Sequence, residues 1–438
     1  MAKTKESLPG APRGVPPPAP PGRGCPQKRS MSTKLFTPNF TLLLLGQISS
    51  LLGNYTLRFA VSMYVLDLTG SAGVYSLIMT LSMLPTIVLS PLGGVLADRA
   101  DRRKIMAALD ALSGAAVLLG ALWLSLGGAL TAVGVLMVAL SALGAFESPT
   151  VQACVPQMLS GENVLRGNAL VSQVQALSSL VTPFLGAAVY SAFGLRAVLL
   201  GAAACFIITA ALECFIKLEF TPDTRRGGVW ELVRGDLAES WRFMRREQPG
   251  VLKLLLLAGV VSMFLAGVML VGYPYLVCTT LGLSSGYYGA AESAAGVAAI
   301  AGAMSVGALA GRLKTARMYW LIAVAGLALV PAGIAFALPA GTIAAFVVLV
   351  ASFCLAQTVC SALSICAMTE IQRRTPERLT GKVMAFVYTL SLCARPVGQL
   401  VYGALFDTVD AAWVLLPSAA VVLAIALAAR GFFARLDL

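Results

Sequence analysis

From about residue 40 the chain alternates between long apolar stretches and short polar islands. The stretches are of a length that lets a helix cross a hydrocarbon core roughly 30 Å thick. Twelve spans are predicted, over residues 40–66, 72–97, 104–127, 130–153, 168–191, 196–216, 252–281, 286–311, 317–338, 341–367, 380–404 and 411–430. Composition supports this reading: 58% of residues are hydrophobic and 12% charged, where a soluble domain carries about 25% charged. Abundant glycine and alanine, with aromatics spread along the chain, point to packed helices rather than a barrel. The expectation is an all-α polytopic membrane protein.

The polar islands set its orientation. The odd-numbered loops hold almost no Lys or Arg. The even-numbered ones hold Arg99, Arg102, Arg103 and Lys104, then Arg312, Lys314 and Arg317, then Arg373, Arg374, Arg378 and Lys382; the central one adds Lys217, Arg225, Arg226, Arg234, Arg242, Arg245 and Arg246. The positive-inside rule places these loops and both termini in the cytoplasm. The formal charge of +12 is mostly this signal, and no nucleic-acid partner is expected. Residues 1–34 hold eight of the 22 prolines and read as a disordered, basic tail. That tail is passive, or an upstream extension of a start at Met31; an SH3-type ligand or an anionic-lipid contact is the functional alternative. The remaining divisions are a six-helix bundle over 35–216, a cytoplasmic linker over 217–251 and a second bundle over 252–438.

Absences narrow the chemistry. The chain has no histidine, which removes imidazole acid–base catalysis and imidazole metal sites. It has no Walker-type phosphate loop. The nine cysteines form no C-x-x-C pair, so neither a metal cluster nor a disulfide framework is expected. Gly282-Leu283-Ser284-Ser285-Gly286 has the spacing of a hydrolase nucleophile elbow, but without histidine it reads as a turn. No cofactor is expected, and a membrane-embedded enzyme is a remote alternative.

The two halves resemble each other. Asn168 and Gly381 open the fifth and eleventh spans at a 213-residue offset that also relates Pro183 to Pro396, and Gly186 and Gly398 follow those prolines. Like bundles about an axis along the membrane normal can rock around a site between them. The second loop reads Gly93-Gly94-Val95-Leu96-Ala97-Asp98-Arg99-Ala100-Asp101-Arg102-Arg103-Lys104. Gly94 is expected to admit a close neighbouring helix, and Asp98 to face the positive end of one. A solvated turn is the plainer alternative. The corresponding loop, Gly307 to Lys314, keeps glycine and basic residues but has no aspartate, so the same gating is not expected there.

This loop resembles the signature of the major facilitator superfamily, with Asp101 where a second glycine is usual. Leu45-Gly46-Gln47 through Gly53-Asn54, Phe146-Glu147-Ser148-Pro149, Gly381-Lys382-Val383 and Arg395-Pro396-Val397-Gly398 resemble its macrolide-efflux and enterobactin-exporter branch. Thr182-Pro183-Phe184-Leu185-Gly186-Ala187 is a degenerate form of the family's antiporter motif. The resemblance implies two six-helix bundles, with Asp98 meeting the eleventh span near Thr380 in a gate that includes Arg99, Arg102 and Arg103.

Ionisable groups within spans are functional candidates because the bilayer tolerates them poorly. Glu147, Glu292 and Asp110 are candidates for proton coupling, through alternate exposure to the two sides. Arg58 and Arg395 are candidates for their ion-pair partners or for binding an anionic substrate. Gln47 and Asn54 are further cavity candidates, with simple interhelical hydrogen bonding the plainer alternative, and Pro183, Gly186, Pro396 and Gly398 are expected to bend helices. Glu213 and Glu370, near span ends, read as interfacial.

The resulting expectation is a monomeric proton antiporter in a bacterial inner membrane, exporting amphiphilic or hydrophobic small molecules such as drugs, macrolides or siderophores. An importer or facilitator of a small metabolite or lysophospholipid is the alternative. Its partners are the substrate, protons and the lipid bilayer.

Overall fold

The computed structural model describes residues 35–218, 229–308, 318–338 and 341–436. The proline-rich tail, part of the 217–251 linker and the Gly307–Lys314 side chains and loop fall outside the described residues. Among those described, the chain is helical throughout: α1 Pro38–Thr69, α2 Ala72–Arg99, α3 Arg102–Leu126, α4 Ala129–Met158, α5 Glu162–Cys214, α6 Val229–Arg242, α7 Pro249–Thr280, α8 Ser285–Ala308, α9 Met318–Ala337, α10 Thr342–Arg374, α11 Glu377–Thr408 and α12 Ala411–Leu436. All but α6 are long and apolar enough to cross a membrane.

α5 is two crossings. Its 53 residues include Gly194 at φ 72° and ψ −179°, a conformation essentially closed to residues with a Cβ. The helix turns back there, between the predicted fifth and sixth spans, and twelve crossings result. Beyond its own local backbone, no described atom lies within 4 Å of a methyl group placed on Gly194, so strain at this position comes from the backbone alone. Gly194→Ala is expected to lower the melting temperature of the purified protein by roughly 2–6 °C. An unchanged melting curve in a fluorescence-detected thermal ramp would count against the turn.

Sequence chemistry sets the other ends. Thr37 caps α1 by accepting from the Phe40 amide at 3.2 Å, with Pro38 in the first turn; Gly70, in the left-handed region, ends the helix. Asp101 caps α3, accepting from the Arg103 amide at 3.2 Å. The residue that departs from the family signature is thus what starts the next helix. The Gly282–Ser285 segment is a turn between α7 and α8, with Gly282 at φ 64°. Within the predicted linker α6 forms and docks on α11: Lys382 Nζ lies 2.6 Å from Glu239 Oε2, and the Trp241 and Phe386 rings are 6.2 Å apart.

Large apolar side chains such as Leu119, Leu122, Phe184, Trp413 and Leu427 cover the outside. Such a surface suits lipid, not water. Inside, small residues let backbones touch. Side chains on Gly93 would strike the Ala145 carbonyl and Pro149 of α4, and on Gly398 the Met263 carbonyl of α7. Gly94, expected to fill this role, has open space around it. One residue turns the azimuth by about 100°, and it is Gly93 that faces α4.

The internal repeat has a structural counterpart. In α5, Gly186 packs against Phe59 of α1, while Pro183 meets Gly289 of α8. In α11, Gly398 packs against α7, while the Pro396 carbonyl accepts from Thr80 of α2 at 3.5 Å. Each repeat thus touches its own half through glycine and the opposite half through the proline turn.

Candidate functional site

The helices alternate in direction, so one end of the molecule collects Arg102, Arg103, Lys104, Arg242, Arg245, Arg246, Arg373 and Arg374. The seam between the halves is closed at the other end. There Asp407 of α11 accepts from the Ser71 hydroxyl at 2.6 Å and from the Ala72 and Gly73 amides at 2.6 and 3.0 Å. Tyr75 donates to the Leu270 carbonyl at 3.2 Å, and Phe59 stacks on Tyr288 with ring centres 5.3 Å apart. A side chain on Gly403 would collide with Ser76, and one on Gly289 would come within 2.8 Å of the Pro183 carbonyl. Sequence reasoning passed over Asp407 because it ends a span and so looks like an ordinary surface acid.

Three intramembrane acids of the first half converge. Ser50 of α1 lies 3.0 Å from Asp110 Oδ1 of α3 and 3.3 Å from Glu147 Oε1 of α4. Gln47, one turn earlier on the same face, is buried beside Glu147, and Glu213 of α5 faces Asp110. Asp110 and Glu213 are fully buried and face each other: with both ionised, neither Glu213 oxygen nor Asp110 Oδ2 has a hydrogen-bond donor among the described residues, whereas a proton on either one lets it donate to the other. None of the three acids is ion-paired among the described residues. Close helix packing creates this pocket. A Cβ on Gly53 would lie 2.9 Å from Cys205 of α5 and one on Gly46 3.3 Å from Thr209, whose hydroxyl donates to the Gly46 carbonyl at 3.1 Å.

Glu213 is therefore not interfacial, as its place beside a helix end suggested. A usable signal was Thr209 and Glu213 at i, i+4, a polar stripe on an otherwise apolar helix. Glu370, read as interfacial, sits near its helix end but is buried, paired with Arg374.

A serine hydroxyl has one proton to donate. For Ser50 to bond both acids at once, it must donate to one and accept from the protonated carboxyl of the other. Asp110–Ser50–Glu147 is thus a path along which one proton can change owner by a hydroxyl rotation and a transfer.

The other candidates lie elsewhere. Arg58 of α1 and Glu292 of α8 approach Tyr75 from the two halves, and Glu292 lies beside Tyr288 in the closed seam. The expected ion pairs of Arg58 or Arg395 with Glu147 or Glu292 do not form among the described residues; Arg58 and Glu292 come to Tyr75 from the two halves without pairing. Asn54 is half-buried on α1 one turn beyond Ser50. Arg395 projects into a cavity of about 540 Å³ between α7, α10 and α11. Arg102 donates to the Ala97 and Ala153 carbonyls at 2.7 and 2.8 Å, tying the ends of α2 and α4 together. The side chains of Asp98 and Arg99 are outside the described residues, and so is the proposed gate contact.

Comparison with known proteins places this arrangement. A sequence profile of the Major Facilitator Superfamily matches residues 43–399. Macrolide efflux protein A of Streptococcus pyogenes is 28% identical over 231 residues, covering 51% of this chain and 55% of that protein, so the match spans about half of the relative. The enterobactin exporter of Salmonella choleraesuis is 25% identical over 374 residues, 84% of this chain and 86% of the exporter. Among solved structures, a bacterial homologue of the human lysosomal transporter Spinster, inward-facing and unoccupied, superposes with a TM-score of 0.68 at 16% identity, covering 93% of this chain and 98% of that one.

Proposed function

The chain belongs to the Major Facilitator Superfamily, and from that premise we propose that it exports amphiphilic small molecules in exchange for protons. It is a multi-pass membrane transporter and not an enzyme. Its relatives named for macrolide efflux and enterobactin export support the outward direction. The observation that carries proton coupling is the Ser50 bridge between two carboxyl groups, with a third buried carboxyl, Glu213, against Asp110.

With the basic end in the cytoplasm, the closed far end makes the arrangement inward-facing. Substrate enters the cavity beside Arg395 from the cytoplasm. Glu213, one residue from the end of α5, is the acid nearest the cytoplasmic surface; Glu147 lies deeper, toward the seam. A proton arriving from the far side in the outward-facing state passes from Glu147 through Ser50 to Asp110 and leaves past Glu213.

The test uses everted membrane vesicles carrying an acidified interior and a pH-sensitive dye. Macrolides, cationic dyes and catecholate siderophores are added in turn. At least one compound is expected to dissipate the gradient in vesicles containing the protein and not in vesicles lacking it. Downhill transport in liposomes with no such response to any compound would overturn proton coupling and establish a facilitator.

A further inference from the structure

The Arg395 cavity carries a statement about what is transported. It lies between α7, α10 and α11, and its walls are mostly apolar, with Leu265, Met269, Met368 and Val387 among them. Methionine is adaptable and suits cargo of variable shape. The polar lining is distinctive. It contains Arg395, Gln357 and the hydroxyls of Ser262, Ser361, Ser364 and Ser391, and no Asp or Glu. Ser361 and Ser391 donate to the Ala299 and Val387 carbonyls at 2.9 and 2.8 Å. Gln357, Ser262 and Ser364 make no hydrogen bond among the described residues, so their donors remain available to a bound molecule.

Arg395 has no counter-charge from the protein among the described residues. It sits near the middle of a membrane-spanning helix, immediately before Pro396. A guanidinium at that depth is expensive and is retained where it meets water, a partner or a ligand. Its planar fork suits a carboxylate, sulfonate, phosphate or catecholate oxygen pair. Of the acids within spans, Asp110, Glu147 and Glu213 lie in the other half, and Glu292 of α8 lies beside Tyr288 in the closed seam; none of the four lines this cavity.

We infer that the cavity is an anion subsite, and that the cargo is an amphiphilic anion whose head is held by Arg395 with Gln357 and Ser364, its apolar body lying against α7 and α10. This deepens the exporter reading by naming the substrate class. It rests on the chain being a transporter of amphiphiles and is independent of proton coupling. It also sorts the named relatives' cargo by charge: a catecholate fits this wall and a cationic drug does not.

The experiment measures binding with no pH gradient, on full-length protein in phosphatidylcholine nanodiscs. The probes are anionic 8-anilinonaphthalene-1-sulfonate and cationic rhodamine 6G, each corrected against empty discs. Wild type is expected to bind the sulfonate at least tenfold more tightly than the cation. Arg395→Gln is expected to lose that preference, and Arg395→Lys, keeping the charge without the fork, to retain part of it. Equal binding of the two probes by wild type, a comparison that needs no variant to fold, would overturn the inference. So would full sulfonate binding by a well-folded Arg395→Gln protein. Repeating the measurement with phosphatidylglycerol in the discs separates the sources of the anion. Competition assigns the subsite to a lipid headgroup and unchanged binding to a soluble amphiphile; both uphold an anion subsite. A protein that prefers the sulfonate but never dissipates a proton gradient retains the subsite and loses the antiport reading. One that antiports cationic dyes without binding the sulfonate does the reverse.

Discussion

Substituting Glu213 by glutamine is expected to reduce substrate-driven proton movement by about tenfold or more, with little change in melting temperature. Glu213→Met should reduce it equally and melt about 2–4 °C higher. The two readouts separate because of how the residue is held. Glu213 is buried against Asp110 and near Glu147, with no counter-charge among the described residues. Two like charges about 4 Å apart at an effective dielectric of about 20 repel by about 4 kcal/mol. With no cation paired to the cluster, protons are the counter-charge it can take. A residue retained for packing would destabilise the protein when replaced. A residue retained to pass protons, and otherwise a burden on the fold, should do the opposite when replaced by an apolar side chain of similar size. Vesicle acidification and a thermal ramp on the same preparations give both numbers. Coupled transport at the wild-type rate in both variants would remove Glu213 from the proton path. A drop of many degrees in both would show its role to be structural.

Asp407→Ala should open the far end. In the structure its carboxylate serves the first turn of α2, where helix amides have no internal partner and an anion is favoured. Ser71 completes the arrangement by accepting from the Val74 amide at 3.1 Å while donating to Asp407. These bonds join the two halves and exist only while the seam is shut; after opening, water serves the same amides. The interaction therefore biases one state over the other instead of stabilising both. Asp407 is exposed, so a net loss of about 1.5 kcal/mol is appropriate, roughly tenfold in the ratio of closed to open molecules. Spin labels at Leu68 and Trp413, exposed positions at this end of opposite halves, report the distance. Wild type should give a dominant short distance, and Asp407→Ala a substantial longer one. Identical distributions would show that the aromatic plug alone keeps the seam shut.

The spans were legible because lipid imposes a length and a polarity that no other environment does. The turn between the fifth and sixth was legible too, although it is one glycine and not a loop. Depth along a helix could be counted from sequence, and Asp110 and Glu147 were found that way. Azimuth could not. That Gly93 and not Gly94 meets α4, and that Ser50 rather than an arginine stands between two acids, depends on how each helix is rotated against its neighbours. Glu213 was misjudged for a related reason: a position near a helix end suggests water, but here α1 and α3 close over it. Asp407 escaped a search confined to charges inside spans, since its importance lies in what it reaches across the seam.

The single-residue turn at Gly194 leaves no slack between the two limbs of α5. The first limb carries Pro183 and Ala187, which bear on α8 where the halves meet; the second carries Glu213 into the acidic pocket. A flexible loop would let these limbs drift independently. A one-residue elbow makes them a crank, so that tilting one displaces the other. On the proposed antiport, the link between movement at the seam and the acidic pocket would be this continuous piece of backbone, with no chain of side chains needed to carry the message.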